Sequence, residues 1–406
     1  MSADMNASDA APAPGGASLD PATLQIHHPY EPPPGFAAVV PPVHKASTVL
    51  FRDAAALRAR SWKGRDGYAY GLQGTPTTYT LEQRVATLEG GVHCALAPSG
   101  LAAITLVNLA LLKGGDEVLL PDNVYGPSRD QARKLLAGFG IGHALYDPLQ
   151  PQSLHAALSP RTRLVWVEPP GSVTMEFPDI RALVDVAHAA GALCALDNTW
   201  GAGVAFAPFE LGADVSMHAL TKYPSGGADV LMGAVVTRDD ALHERILHTH
   251  SVLGLGVAAN DCEIVLRSLP TMRLRYEAHD RAARELAAWL STQPAVRRVL
   301  HPALPGAPGH EHWRSHCSAA AGLFSLQFDP RFGPAEVDRF IDALRLFGLG
   351  VSWGGPMSLA VPYDLTAMRG PAAPVQGPLV RLSIGLEAVE DLRADLAQAL
   401  DLAFGA

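Results

Sequence analysis

The feature that most constrains this sequence is a set of short apolar segments that do not alternate. EVLLP, RLVWV, ALCAL and VLMGAVV each carry consecutive apolar side chains. A strand with one wet face alternates apolar and polar residues, whereas a strand covered on both faces does not. Helical patterns separate these segments. PSGLAAITLVNLALLKGG opens at a Gly turn and stops at Gly114–Gly115, and PDIRALVDVAHAAG begins on Pro and ends on Gly. GPSRDQARKLLAGFG predicts another helix, and TPTTYTLEQRVATLEG sets Leu81, Val85 and Leu88 on one stripe. Buried strands alternating with helices predict an α/β fold whose mainly parallel sheet is covered on both faces.

From about Ser268 the pattern changes. MRLRYEAHDRAARELAAWLSTQP reads as a long amphipathic helix, GLFSLQFD as an alternating strand, and AEVDRFIDALRLF as a helix. VRLSIGLE and DLRADLAQALDLAF follow as a strand and the last helix. Helices beside a few alternating strands predict a smaller α+β domain. The chain thus divides into a flexible tail at 1–35, which is rich in Ala, Pro and Gly, and an arm at 36–73 with the apolar patches AAVVPPV and STVLF. A large domain at 74–268 and a C-terminal domain at 269–406 complete it. Exposed apolar arms commonly pack on another subunit.

Composition excludes several classes. With 406 residues, 48% of them hydrophobic and 17% charged, the chain fills one large or two to three ordinary domains and is not a disordered protein. A net charge of −9 offers no footprint for nucleic acid or anionic lipid. The N-terminus has no apolar signal core, and no stretch is apolar enough to span a membrane. Cys94, Cys194, Cys262 and Cys317 show no CxxC spacing. His44, His93, His218 and His301 fit no common metal-ligand pattern, so no metal is expected. These features predict a cytoplasmic protein.

Open parallel sheets bind ligands outside the carboxyl ends of their strands. Asp197 ends ALCAL, and Lys222 follows ADVSMHALT. Alone, Asp197 reads equally as a helix cap or half of an ion pair, and most lysines at strand ends lie on the surface. Together they match what pyridoxal phosphate needs. A carboxylate keeps the ring nitrogen protonated, and a desolvated lysine takes the aldehyde as a Schiff base. Pro98–Ser99–Gly100–Leu101 opens a helix and offers free N–H groups to a phosphate, although ordinary strand-to-helix turns look the same. Thr221 can add a hydroxyl, and Tyr125 sits where a ring could stack on the cofactor or merely form the rim. Arg381, in the apolar strand VRLSIGLE, calls for an anion: a substrate α-carboxylate or an internal acid. Trp353 reads as a packing residue or a pocket wall.

These residues bring a family into view. From about Ala38 onward the chain resembles the Cys/Met-metabolism enzymes dependent on pyridoxal phosphate, and within them the bacterial cystathionine β-lyases. The likeness rests on VPPVHKASTVLF, YAYGLQGTPTTYTLE, LEGG, PSGLAAI, NVYGPS, EPPGSVTMEFPDI, LDNTWGAGVAF, LTKY, HPALPG, GLFSL, SWGG and VRLSIGLE. The resemblance implies the fold-type-I architecture, with a seven-stranded sheet, and a homotetramer (a dimer of dimers) whose active sites are shared between subunits. It implies that Lys222 carries the cofactor, Asp197 pairs with its ring nitrogen and Tyr125 stacks on the ring. Gly100, Leu101 and Thr221 would bind phosphate, Arg381 and Ser352 the α-carboxylate, and Tyr70 would reach into a neighbouring subunit's site.

EPPGSVTME resembles the β-lyase form rather than the ESPxNP of γ-acting relatives, and Pro127 stands where methionine γ-lyases have Cys. The implied activity is cleavage of L-cystathionine to homocysteine, pyruvate and ammonia. The sequence departs from the family at Leu72 and Gln73, where YGRRGT carries two arginines. It departs again at Val351, where a Tyr can occur, and at Gly226–Gly227–Ala228–Asp229. Lys63 or Arg65 could replace the missing charge. The lost arginines keep a cysteine desulfhydrase or cysteine-S-conjugate β-lyase open, with a γ-synthase or γ-lyase third. A nucleotide-binding protein lacks its GxGxxG or GxxxxGK[ST] here, and a non-catalytic scaffold retaining the fold is a minor further alternative.

Overall fold

The computed structural model describes residues 19–28, 34–36, 38–60, 67–369 and 377–405. Two sheets organise it. The first contains β1 (His93–Ala97), β2 (Glu117–Pro121), β3 (Gly142–Tyr146), β4 (Thr162–Val167), β5 (Leu193–Asp197), β6 (Val215–His218) and β7 (Gly233–Thr237). It is seven-stranded in the order β1-β7-β6-β5-β4-β2-β3, and only β7 runs antiparallel to its neighbours.

The packing accounts for the missing alternation. Val118 and Leu120 join one core cluster while Leu119 between them joins another, and Ala195 is likewise separated from Cys194 and Leu196. Each face of the sheet therefore has its own apolar layer, and β2, β6 and β7 are buried at every position. Helices supply those layers. Pro76–Glu89 is capped at Thr75 by a reciprocal bond with Thr78 and ends on Gly90 in the left-handed region. Gly100–Leu111 starts at Ser99, whose side chain accepts from Ala102 N.

The second sheet holds β8 (Val296–Leu300), β9 (Leu323–Phe328), β10 (Gly348–Leu349), β11 (Leu359–Asp364) and β12 (Pro378–Ser383), ordered β10-β11-β12-β9-β8. With the helices Pro334–Ala343 and Val389–Phe404 it encloses a separate core. The long helix Met272–Leu290 joins the two units. Met272 and Tyr276 pack in the large-domain core, whereas Ala282, Ala283, Leu286 and Leu290 pack in the second. The division expected at 268/269 therefore falls ahead of an element shared by both cores.

Three local expectations change. Within the presumed tail, Pro21–Ile26 is a helix: Asp20 caps it, Gln25 is buried and donates to Arg84 O, and Asp20 pairs with Arg273. Residues 1–18 and 29–33 of that tail lie outside the described residues. The helix expected from GPSRDQARKLLAGFG is α-helical over Gly126–Gln131, then a π turn over Ala132–Leu136 and a 3-10 turn over Ala137–Phe139. GLFSLQFD does not alternate in burial, because Leu323–Phe328 is covered throughout. In the arm, Phe36, Val39, Val40 and Leu50 stand exposed. Among the described residues, no helix is long and apolar enough to cross a membrane.

Candidate active site

Three side chains come together from the carboxyl ends of adjacent strands. Glu168 follows β4, Asp197 ends β5 and Lys222 follows β6. This is where an open parallel sheet leaves a crevice. Asp197 accepts from Thr199 N at 3.0 Å, and among the described residues it makes no ion pair. Burial raises its pKa, and the Thr199 hydrogen bonds oppose the rise. Glu168 accepts from Tyr125 N at 2.7 Å and from the Ser172 hydroxyl. Burial, with the charge of Asp197 second, raises Glu168 to about 8. Tyr125 is thereby fixed through its backbone while its ring stays partly exposed. Burial also raises the Tyr125 phenol, followed by the charges of Asp197 and Glu168.

Lys222 leaves the sheet in a tight turn, with its N–H donating to Ala219 O and its carbonyl accepting from Gly226 N. Its ammonium donates to Ser352 Oγ at 2.7 Å and lies 5.4 Å from the centre of the Trp353 ring. Burial brings its pKa down to about 8, with Arg381 lowering it further and Asp197 opposing. Such an amine is neutral in a substantial fraction near pH 7 to 8 and is nucleophilic there. The start of the helix Gly100–Leu111 lies against the same turn. A Cβ on Gly100 would stand 2.7 Å from Ala219 Cβ, so only glycine permits this approach. Leu101 is partly exposed beside it.

The second domain closes the site. Arg381 on β12 is nearly enclosed, and one Nη donates to Ser352 O at 3.2 Å. Among the described residues no carboxylate pairs with it, and its Nε has no hydrogen-bond partner. Burial lowers its pKa, yet an arginine stays charged. Ser352 has φ 101°, and Gly354 follows at φ 78°. A serine in that region is strained and must be held by its surroundings. Trp353 packs edge-on against Tyr223 with centroids 5.5 Å apart, so it supports the Lys222 turn as well as facing the amine.

Two further expected site residues have partners outside this cluster. The Thr221 hydroxyl donates to Met232 O at 3.2 Å and accepts from Met232 N at 3.0 Å. Its proton is committed here to Met232 O, beside β7. Tyr70 is half-exposed in the arm, bridged to Thr48, and makes none of the hydrogen bonds of this site. Leu72 packs toward Gly256. Lys63 and Arg65 lie outside the described residues.

Sequence reasoning missed three groups. Glu168 directly follows a buried strand, much as Asp197 ends one, and the same rule finds it. Arg369 pairs with Asp122 at 2.7 Å and Glu176 at 2.8 Å, tying the second domain to the loop before Tyr125. Glu89 accepts from Asn198 and Ser216 at 2.7 Å and lies 2.8 Å from His218 Nδ1, fully buried behind β5 and β6. Asp122, Glu176 and Glu89 sit in segments of ordinary pattern.

An enclosed carboxylate without a counter-ion, an amine with a lowered pKa and a helix start beside it fit a small aldehyde cofactor with a cationic ring and an anionic tail. The half-buried Asp197, without an ion pair among the described residues, matches the protonated ring nitrogen of pyridoxal phosphate, Lys222 its aldehyde, and the N–H groups at Gly100 and Leu101 its phosphate. The fold and site thus define an α/β enzyme of the kind that works with pyridoxal phosphate. The chain belongs to the Cys/Met metabolism PLP-dependent enzyme family, whose model matches residues 22–401.

Relatives carry several names. A cystathionine β-lyase of Bordetella avium is 42% identical over 385 residues, covering 92% of this chain and 95% of that one. An L-alanine/L-glutamate racemase of Wolbachia pipientis is 34% identical, covering 89% and 92%. The crystal structure of cystathionine γ-synthase from Xanthomonas oryzae, in complex with aminoacrylate and cysteine, superposes with a TM-score of 0.88. It is 31% identical and covers 96% of this chain and 100% of that one.

Proposed function

We propose that this protein is a carbon–sulfur β-lyase that cleaves L-cystathionine with water to homocysteine, pyruvate and ammonia. One observation carries the reading. The Lys222 amine and the Arg381 guanidinium both meet Ser352, one at its hydroxyl and the other at its carbonyl. An amino acid held by its carboxylate at Arg381 then has its α-carbon beside the Lys222 amine. The identity to relatives named cystathionine β-lyase supports the same choice.

When bound, pyridoxal phosphate supplies an electron sink for negative charge at the α-carbon. Asp197 would hold the ring nitrogen protonated, and Glu168, whose pKa is raised to about 8, would add little competing charge at neutral pH. Arg381 takes the α-carboxylate, with the Ser352 backbone fixing the guanidinium. Lys222 removes the α-proton, and loss of the sulfur from the β-carbon follows. Tyr125 would cover the ring. Tyr70 would act from a neighbouring subunit of a homotetramer, in which the exposed Phe36, Val39, Val40 and Leu50 are covered. The enzyme would work in the cytoplasm, in sulfur amino-acid metabolism.

Leu72 favours a second reading. An apolar side chain packed toward Gly256 stands where the family pattern carries an arginine, which suits a smaller or less charged sulfur substituent. A cysteine desulfhydrase or S-conjugate β-lyase would have it so. Pyruvate release from cystathionine, cysteine and cystine, measured side by side, tests the choice. Cystathionine is expected to be the best of the three, and cystathionine as the poorest overturns the substrate assignment.

A further inference from the structure

A buried guanidinium needs a partner for its flat face as well as for its edge. β11 and β12 run antiparallel with Val361 opposite Arg381 and Tyr363 opposite Leu379. Tyr363 is therefore the diagonal neighbour of Arg381 on one face of the sheet. The Arg381 guanidinium carbon lies 5.3 Å from the centre of the Tyr363 ring, within the range of a cation–π contact. Tyr363 is half-buried and packs against the large-domain core, so it stands at the seam between the two domains. After burial and the two carboxylates, Tyr363 is among the groups that raise the Tyr125 phenol. Among the described residues, Arg381 is otherwise held by a bond to Ser352 O. Its edge is left open.

We propose that Tyr363 is a positioning residue for substrate recognition. It stacks on the Arg381 guanidinium and turns that group's hydrogen-bonding edge toward the α-carboxylate of an amino-acid substrate. This rests on the reading of Arg381 as the carboxylate anchor. The aromatic face takes the place of an internal counter-ion, which would compete with the substrate for the same donors.

The test uses the holoenzyme and two probes, glycine and methylamine, titrated against its visible absorption. Glycine carries the amine and the carboxylate, and methylamine only the amine. Tyr363→Ala is expected to weaken glycine about tenfold and to leave methylamine within about twofold. Tyr363→Phe keeps the stacking face and is expected to hold both within about threefold. Tyr363→Leu, which keeps bulk without the ring, serves where the alanine variant does not fold. Arg381→Lys separates the two layers of the argument. If it leaves glycine unchanged, Arg381 is not the anchor and both readings fall. If it weakens glycine while Tyr363→Ala does not, the anchor stands and the role of Tyr363 is overturned. Equal weakening of glycine and methylamine by Tyr363→Ala also overturns it.

Discussion

Lys222 donates a hydrogen bond to Ser352 Oγ at 2.7 Å, from a serine whose φ of 101° few residues other than glycine adopt. The strain and the contact belong together. The backbone there turns so that one residue offers its hydroxyl to the lysine and its carbonyl to Arg381. Ser352→Gly is expected to raise unfolding free energy by about 1 kcal/mol, through relief of the left-handed strain. It is also expected to lower kcat/KM about tenfold to a hundredfold through loss of the acceptor. Urea denaturation and steady-state kinetics on one preparation check both directions.

Lys222→Ala removes the amine that burial brings down to about 8. Turnover is expected to fall about a thousandfold or more, and borohydride should no longer fix the cofactor to the peptide containing residue 222. Mass spectrometry of the reduced, digested protein reads this out. Undiminished activity would remove Lys222 from the chemistry.

Asp197→Asn and Glu168→Gln should behave differently, although the two carboxylates are neighbours. Asn cannot offset a cationic ring, so Asp197→Asn is expected to lower kcat about a hundredfold or more. Glu168 is raised to about 8 by burial and then by Asp197, so the folded protein binds its proton more tightly than the unfolded chain, where a glutamate titrates near ~4.3. Its stabilising contribution is whole below that value and is lost as pH rises through about 8. Chemical denaturation of the apoprotein between these limits is expected to show stability falling with pH. Glu168→Gln is expected to flatten that slope.

Arg369 is almost fully buried and joins Asp122 and Glu176 across the domain seam. Arg369→Met strands Glu176 without a cation and is expected to cost about 3 kcal/mol. Because Asp122 lies in the loop leading to Tyr125, the same variant should weaken cofactor retention. Urea unfolding and the cofactor content after gel filtration measure the two effects.

The sheet was legible because covering both faces leaves a mark that composition cannot imitate, and Asp197 and Lys222 were legible because they end such strands. Glu168 obeyed the same rule, but Pro169 and Pro170 drew attention to the turn instead. Tyr363 was hidden in LAVPYD, where Pro362 disguises a strand that lies against β12. Arg369 sits in the five-residue helix Leu365–Arg369, too short to show a period. Pro21–Ile26 was read as tail because its Ala and Pro neighbours carry no helical stripe, and only tertiary contacts through Gln25 and Asp20 hold it. A free Thr221 hydroxyl and one bonded to Met232 look alike in sequence.

The identity of the keto acid released from L-cystathionine tests the central claim most directly. β-Elimination, with the α-carbon held between Lys222 and Arg381, predicts pyruvate and homocysteine in equal amounts. 2-Oxobutyrate with cysteine would contradict the account in favour of γ-elimination, and recovery of racemised amino acid without any keto acid would contradict it in favour of a racemase.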